Sequence, residues 1–399
     1  MRIGLDGIPL TEAKAGIGHY TAELSAELAR QSPSDDFELI LPDRFEVVVG
    51  DRDAAQTPTV SNLRVMRAPS ADVRLRWWSM GLPLYAREHD LALFHGTNYH
   101  IPIWDLCPTV VTIHDLSSLL HADTHREELV RRARLRLPAM ARAATFIITD
   151  SDSVRREVCE HLDAEPSRVV AVPLAPRRAF RFVPAHESVE VRRRLGVEDD
   201  FLLFVGTVEP RKNLATLVRA YAELARATDF TTQLVIAGGR GWLSDELFEL
   251  IKREELTERT LFTGYVTDEE LRALYSSCTL SIYPSLYEGF GLPPLEAMSC
   301  GAPVVASRIP VLEETCGGGA ARLVDPVDHA DVALALAELL SDANARAQLS
   351  RAGLERAAAY TWERTARLTR EVYDEAISAW RFQRGMTKAK VSAVMNEER

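Results

Sequence analysis

The sequence predicts an α/β protein of two units, each built on a doubly wound parallel sheet. Three observations carry that prediction. Short apolar runs that favour strands alternate with amphipathic helical segments along nearly the whole chain, the pattern of parallel strands joined by crossover helices. The alternation halts at RRAFRFVPAHESV (177–189), which reads as a linker, and restarts at FLLFVG (201–206). The length of 399 residues exceeds one ordinary core and suits two domains of roughly 150–200 residues. The expected domains are 1–180 and 181–360, with a terminal helix beyond them.

In the first half, RIGLDG (2–7) reads as the opening strand. A polar loop holding Gly16 and Gly18 follows, then a helix near His19–Arg30. Strand, glycine loop and helix make a candidate anion cradle. The G-I-G lacks the third glycine and the acidic partner of a dinucleotide fingerprint, and a plain tight turn suits it equally well. FELILP (37–42), LRVMRAP (63–69), LALFHG (91–96), TVVTIHD (109–115), ATFIITDS (144–151) and VVAVPLAP (169–176) read as further strands. Several end in polar residues: His95-Gly96, His114-Asp115 and Asp150-Ser151. Open α/β sheets bind ligands at this edge, so each histidine either faces a ligand or is a satisfied structural residue.

The second half continues with a helix at Leu214–Ala227, strand QLVIAGG (233–239), a helix at Ser244–Arg253, strand TLFTGYV (260–266) and a helix at 268–278. Strands TLSIY (279–283) and APVVAS (302–307) then flank the densest motif, SIYPSLYEGFGLPPLEAMSCG (281–301). Pro284-Ser285 breaks the strand, and Gly289 and Gly291 open a loop. Pro293-Pro294 then starts a short helix to about Cys300, closed by Gly301. This layout puts Glu288 in the loop and Glu296 in the helix's first turn. Ionised carboxylates only accept hydrogen bonds, so such a pair matches the O–H donors of a sugar or ribose. The glycines and the helix N-terminus suit a phosphate. Plain helix capping is the equally weighted structural role. Arg211-Lys212, just past FLLFVG, is either surface charge or counter-charge for an anion. Gly238 and Gly239 are either cleft lining or turn residues.

Toward the C-terminus, VALALAELLSDANARAQLSRAGLERAAAY reads as two helices and TWERTARLTREVYDEAISAW (361–380) as a third. Residues 384–399, basic then acidic, read as a flexible tail.

A net charge of −11 excludes broad nucleic-acid binding, which calls for a basic stripe. The N-terminus MRIGLDGIPL enters a strand without a signal-peptide pattern, and no apolar run approaches a membrane span, so a cytoplasmic location is expected. Cysteines 107, 159, 278, 300 and 316 are scattered without a C-x-x-C pair, which points to free thiols. RLRWWSMGLPLY (74–85) and REELVRRARLRLPAMAR (126–142) combine tryptophans and arginines. They suit an anionic membrane surface, or else a buried tryptophan and a solvated helix face.

The string E-G-F-G-L-P-P-L-E (288–296) carries the E-x7-E motif of retaining family 4 glycosyltransferases, the glycogen synthase and mannosyltransferase kind. YPSLYEGFGLPPLEAMSCGAPVVAS resembles that family's donor site nearly throughout, and GTVEPRKN (206–213) resembles its phosphate-binding segment. Shorter matches run from Met1 to about Trp362. The resemblance implies a GT-B fold: two Rossmann-like domains facing a cleft, with the C-terminal helix crossing back to the first. It implies transfer of a hexose from a nucleotide-sugar donor. His114 would lie against the donor sugar, and Gly16 and Gly18 would face the donor phosphates and the acceptor. Arg211 and Lys212 would offset the leaving diphosphate, where charge develops. Glu288 would bind sugar hydroxyls, with Gly289, Phe290, Gly291 and Leu292 completing the donor loop. Glu296 would hold the ribose, and Tyr265 and Val266 would read the base. One departure stands out: many relatives have an arginine directly after the glycine, where this chain has Thr207, and Arg211 is the candidate replacement.

With cations and a helix N-terminus at the diphosphate, no metal or other cofactor is expected. Asp150-Ser151-Asp152 has the Asp-x-Asp form that holds a divalent ion in other glycosyltransferases, but it also reads as a helix N-cap, the favoured reading. HDLSSL (114–119), GTVEPRKNL and YPSLYEGFGLPPLEAM resemble strings of bacterial mannosyl- and rhamnosyltransferases of surface polysaccharide (O-antigen) synthesis. That favours GDP-mannose or a related deoxyhexose donor and a glycan or polyprenyl-diphosphate-linked acceptor. A non-catalytic sugar-nucleotide-binding subunit is the alternative. A phosphorylase, which would usually carry a pyridoxal lysine on a far longer chain, ranks below it.

Overall fold

The computed structural model describes residues 1–11, 16–47, 60–68, 77–104, 106–227, 231–241 and 245–397, with side chains to 385. Arg74 and Arg76 of the tryptophan–arginine stretch lie outside the described residues. The chain divides into two compact units. One comprises Met1–Leu116, Glu128–Leu174 and Trp362–Arg399; the other comprises Ser117–Glu127 and Ala175–Thr361. The division thus falls at Leu174/Ala175 rather than 180/181, and residues 117–127 belong to the second unit.

The first unit's strands are β1 (Arg2–Asp6), β2 (Asp36–Pro42), β3 (Leu63–Ala68), β4 (Leu93–Gly96), β5 (Thr109–Ile113), β6 (Phe146–Thr149) and β7 (Val169–Ala171). Among the described residues they form one seven-stranded parallel sheet in the order β3-β2-β1-β4-β5-β6-β7. Inner strands such as β4 and β5 are buried throughout, as helices on both faces require. Edge strand β3 instead exposes Arg64 and Arg67, charges that discourage further pairing. The order reverses between β1 and β4, the switch point of this sheet.

The terminal helix Trp362–Glu397 packs along helix Gly16–Gln31. Tyr373 Oη lies 2.7 Å from His95 Nδ1, Thr365 Oγ1 donates to the Pro173 carbonyl at 2.7 Å, and Arg370 pairs with Asp35. The helix does not stop at Trp380 but continues to Glu397, through the stretch read as a flexible tail. That stretch contains no proline and is rich in Lys, Ala, Met and Glu, all good helix formers.

The second unit's strands are β8 (Phe201–Val205), β9 (Gln233–Ala237), β10 (Thr260–Gly264), β11 (Leu280–Tyr283), β12 (Val304–Ser307) and β13 (Ala321–Val324). They form, among the described residues, a six-stranded parallel sheet in the order β10-β9-β8-β11-β12-β13, with its switch point between β8 and β11. Leu202, Phe204, Leu217, Val218, Leu234, Ile236, Leu280 and Ile282 lie in its core. Each such buried side chain contributes about 1.5–3 kcal/mol relative to exposure.

Two elements here escape a reading by pattern. The linker ends in helix Ala185–Leu195, entered from Pro184, with Glu187 in its first turn, Arg192–Arg194 in its last and left-handed Gly196 (φ 75°) beyond. These are helix-end preferences, not apolar periodicity. Strand β13 (ARLV) is too short and charged to stand out, and it forms by pairing with β12. The expected pair of C-terminal helices is His329–Ser341 and Ala343–Ala358, divided at Asp342, whose carboxylate accepts from the Asn344 and Ala345 amides. Gly238 is a packing residue: a Cβ there would sit 2.1 Å from the Gly206 carbonyl oxygen. All five cysteines are free; Cys159 is half-buried and the other four are buried.

Candidate active site

At the second unit's switch point, the segments leaving β8 and β11 meet. Past β11 the chain runs through Pro284–Phe290 to Gly291, whose φ of 92° and tight packing exclude a side chain. A Cβ there would lie 2.6 Å from Leu312 Cδ2. Gly291 caps the helix Leu292–Ser299, with prolines in the first turn. Because the cap is Gly291, the helix starts one residue earlier than expected, and Glu296 falls in its second turn rather than its first. A left-handed Gly301 (φ 81°) follows its end.

Glu288 lies buried in the loop and is gripped from the β8 side. Lys212 Nζ donates to Glu288 Oε1 at 2.6 Å, and Arg211 Nη1 donates to Oε2 at 3.3 Å. Arg211 also donates to the Tyr287 carbonyl at 2.8 Å and to Glu209 at 2.8 Å. Burial alone would push the Glu288 carboxyl up, but the charges of Lys212 and Arg211 hold it below the usual carboxylate range. The backbone locks the two segments together: the Leu286 amide donates to the Arg211 carbonyl at 2.9 Å, and Asn213 Nδ2 donates to the Pro284 and Pro326 carbonyls. Thr207 is exposed at the end of β8.

Glu296 has a partner that the sequence concealed. Arg177 donates from Nε to Oε1 at 2.7 Å and from Nη2 to Oε2 at 3.2 Å, while its Nη1 donates to Asp268 at 2.7 Å. Arg177 sits in the linker, 119 residues before Glu296, among five other arginines in residues 177–194. Nothing in its spacing marks it. Tyr265 is largely exposed and Val266 buried, just before helix Asp268–Ser277. Phe290 is buried with its ring against Tyr360, and Gly289 is half-buried.

In the first unit, His114 follows β5. Its Nε2 lies 2.9 Å from the Thr97 carbonyl and its Nδ1 2.8 Å from Asp150 Oδ2. A carbonyl can only accept, so Nε2 carries hydrogen, and the second proton lies between Nδ1 and the carboxylate. Burial alone would lower the imidazole pKa, but the Asp150 charge and hydrogen bond raise it above its ordinary value. His95 is a core residue: its nitrogens meet Tyr373 and Thr112, and burial drops its pKa to about 3. Gly16 and Gly18 are not in a loop but in the first turn of helix Gly16–Gln31, the turn whose N–H groups have no partner within the helix itself. Residues 12–15 lie outside the described residues.

Ser151, between Asp150 and Asp152, caps helix Asp152–His161 by accepting from the Val154 amide at 3.1 Å. Asp150 pairs with His114, whereas Asp152 faces Arg155 and Arg156. Among the described residues no group of three or more His, Cys, Asp or Glu is placed to hold a metal ion. Trp77 is buried and Trp78 stacks near His100, which leaves neither as an exposed anchor. Helix Glu127–Ala143 does expose its arginines, together with Leu129 and Leu135. No helix among the described residues is long and apolar enough to cross a membrane.

Two doubly wound parallel units, the second with carboxylates and cations gathered at its switch point, define a GT-B glycosyltransferase. Residues 15–175 match the model of glycosyltransferase family 4, and residues 189–356 match that of glycosyl transferases group 1. The chain is 30% identical over 383 residues to the O-antigen chain mannosyltransferase B of Escherichia coli, covering 92% of this chain and 97% of that one. Its fold is similar to that of sucrose-phosphate synthase from Thermosynechococcus elongatus (TM-score 0.73, 21% identity, covering 95% of this chain and 100% of that one). It is also similar to Anabaena HepE, solved with UDP and glucose (TM-score 0.71, 17% identity, covering 94% and 99%). The chain belongs to glycosyltransferase family 4.

Proposed function

We propose that this glycosyltransferase moves mannose, or a related deoxyhexose, from a GDP-linked donor to a glycan or polyprenyl-diphosphate-linked acceptor of surface-polysaccharide assembly. The anomeric configuration is retained and no metal is needed. The observation that carries this is the cluster of Lys212 and Arg211 on Glu288 at the switch point. Two cations there can take up the charge of a departing diphosphate, the role a divalent ion fills elsewhere. The similarity to the E. coli O-antigen mannosyltransferase supports the sugar and the acceptor class. The named complex of HepE with UDP supports a nucleoside diphosphate as leaving group.

Purified protein, in chelator, would be given GDP-mannose, GDP-linked deoxyhexoses and UDP-glucose with a short mannan acceptor. The product anomer would be read by NMR. The expected result is a product with the donor's own anomeric configuration, α from GDP-α-mannose, formed at full rate in EDTA. Turnover that dies in chelator and returns with Mg²⁺ or Mn²⁺ overturns metal independence. An inverted product overturns retention, and donor binding without transfer or hydrolysis supports the non-catalytic alternative.

A cytoplasmic enzyme with a lipid-linked acceptor would work at the inner face of the plasma membrane. The exposed arginines of helix Glu127–Ala143, with Leu129 at 51% and Leu135 at 73% exposure, are the surface that favours this. The protein then sediments with anionic liposomes and is released by salt. Equal recovery in the supernatant with and without liposomes removes this part of the reading.

A further inference from the structure

Arg177 makes a planar fork onto both oxygens of Glu296, at 2.7 and 3.2 Å, and reaches Asp268 with its third nitrogen at 2.7 Å. Its guanidinium also lies 4.3 Å from the centre of the Phe180 ring. The side chain is only 18% exposed and that of Glu296 5%, so water does little to reorient either. Asp268 opens the helix Asp268–Ser277, whose start is fixed by a capping box between Thr267 and Glu270. Arg177 therefore joins the helix carrying Glu296 to the turn that follows Tyr265 and Val266. These are the two places where the donor's ribose and base would be read.

The acceptor count is informative. Each carboxylate oxygen has two lone-pair positions, and the Arg177 fork takes one on each. One position per oxygen is left, on the two outer edges of the group, and either can accept from a single ribose hydroxyl. We propose, on the strength of the donor-site reading above, that Arg177 is a positioning residue for nucleotide recognition. It holds the Glu296 carboxylate in one orientation, so that an acceptor position left on its outer edge receives the 2′-hydroxyl of the donor ribose. A lysine could not replace it, because an ammonium is a point charge and does not fix a carboxylate plane.

The alternative is that Arg177 is a strut, needed for folding and blind to the ribose. Calorimetry separates the two. GDP and 2′-deoxy-GDP, and UDP and 2′-deoxy-UDP, would be titrated into the wild type, Arg177→Lys, Arg177→Gln and Glu296→Gln, with Tm recorded for each. The wild type is expected to prefer the ribonucleotide by roughly tenfold or more, the size of one hydrogen bond to a charged group. Arg177→Lys, which keeps the charge and so protects the fold, should cut that preference to about threefold or less. Glu296→Gln should cut it similarly. If the Arg177 variants weaken ribo- and deoxyribonucleotide by the same factor, leaving the ratio intact, Arg177 is a strut and the proposal is overturned. If Glu296→Gln leaves the ratio intact, the ribose role of Glu296 fails, and the proposal falls with it for a different, visible reason.

Discussion

The two sheets each gather buried charge at their carboxyl edge, and they do so in opposite ways. At the ends of β5 and β6, His114 and Asp150 close on each other, with the Thr97 carbonyl taking the second ring nitrogen. One group that can be positive meets one that can be negative, and both ring nitrogens are committed inside the unit. A sugar set against His114 would meet ring carbons and a local charge, with no nitrogen left to bond it. At the ends of β8 and β11, by contrast, Lys212 and Arg211 converge on the single carboxylate of Glu288, and Glu209 takes part of Arg211. The first arrangement is self-contained. The second has two cations held close together by one carboxylate. The difference teaches that the second sheet carries the excess of buried positive charge, while the first sheet's charges are matched within their own pair.

The largest effects should come from breaking the second cluster. If, as proposed, Lys212 serves the departing diphosphate, Lys212→Ala is expected to lower kcat for transfer by about 10²–10³. Glu288→Gln should also depress kcat, yet with the opposite sign on binding. Freed of their carboxylate, Lys212 and Arg211 become available, and nucleoside diphosphate affinity should rise several-fold. Steady-state kinetics paired with calorimetry reads both. Weaker nucleotide binding in Glu288→Gln would mean that the carboxylate organises the cations instead of competing for them.

A pH titration tests the first cluster, with a smaller expected effect. Asp150 and Asp115 raise the His114 pKa above 6.5 against burial, while the Tyr20 and Tyr99 rings pack edge-on to the imidazole. A histidine raised in the folded state stabilises fully below its unfolded value and loses that contribution as pH rises through the folded one. Asp150 itself is raised, first by burial and against the pull of His114, so the pair as a whole holds its proton tightly. As pH rises above the ordinary histidine value, Tm of the wild type should therefore fall more steeply than Tm of Asp150→Asn. Parallel slopes would show that the pair contributes no pH-dependent stability.

The same contrast explains what could be read from the sequence. Strands, the switch-point motif and Arg211-Lys212 are local patterns, because alternation, glycines and prolines act over a few residues. The helix Leu214–Ala227 has the limits its periodicity predicts. Partnerships across the chain are not local. Arg177 finds Glu296 across 119 residues, and Asp150 finds His114 across 36. Sequence could name Glu296 and His114 but not what holds them. The shift of Gly16 and Gly18 from loop to helix has a related cause, since a glycine pair signals a turn unless tertiary packing, here with Gly18 buried, starts the helix early.

The smallest effect concerns Thr207, and it tests whether Arg211 stands in for the arginine that the family resemblance leads one to expect there. Thr207 is exposed, so adding an arginine should neither disturb the core nor cost much. In the wild type the gain in nucleoside diphosphate affinity should stay within about threefold, the scale of one exposed charge contact. In an Arg211→Ala background the outcome is more telling. If Arg211 supplies the missing cation, that variant loses affinity, and Thr207→Arg should restore most of it while leaving the Tyr287 and Glu209 contacts of Arg211 unreplaced. Restored affinity without restored Tm is the expected signature, because charge at the diphosphate can be moved along the β8 loop but the hydrogen bond to the Tyr287 carbonyl cannot. If Thr207→Arg rescues nothing, Arg211 serves the loop's geometry, and Lys212 alone carries the phosphate charge on this side of the site.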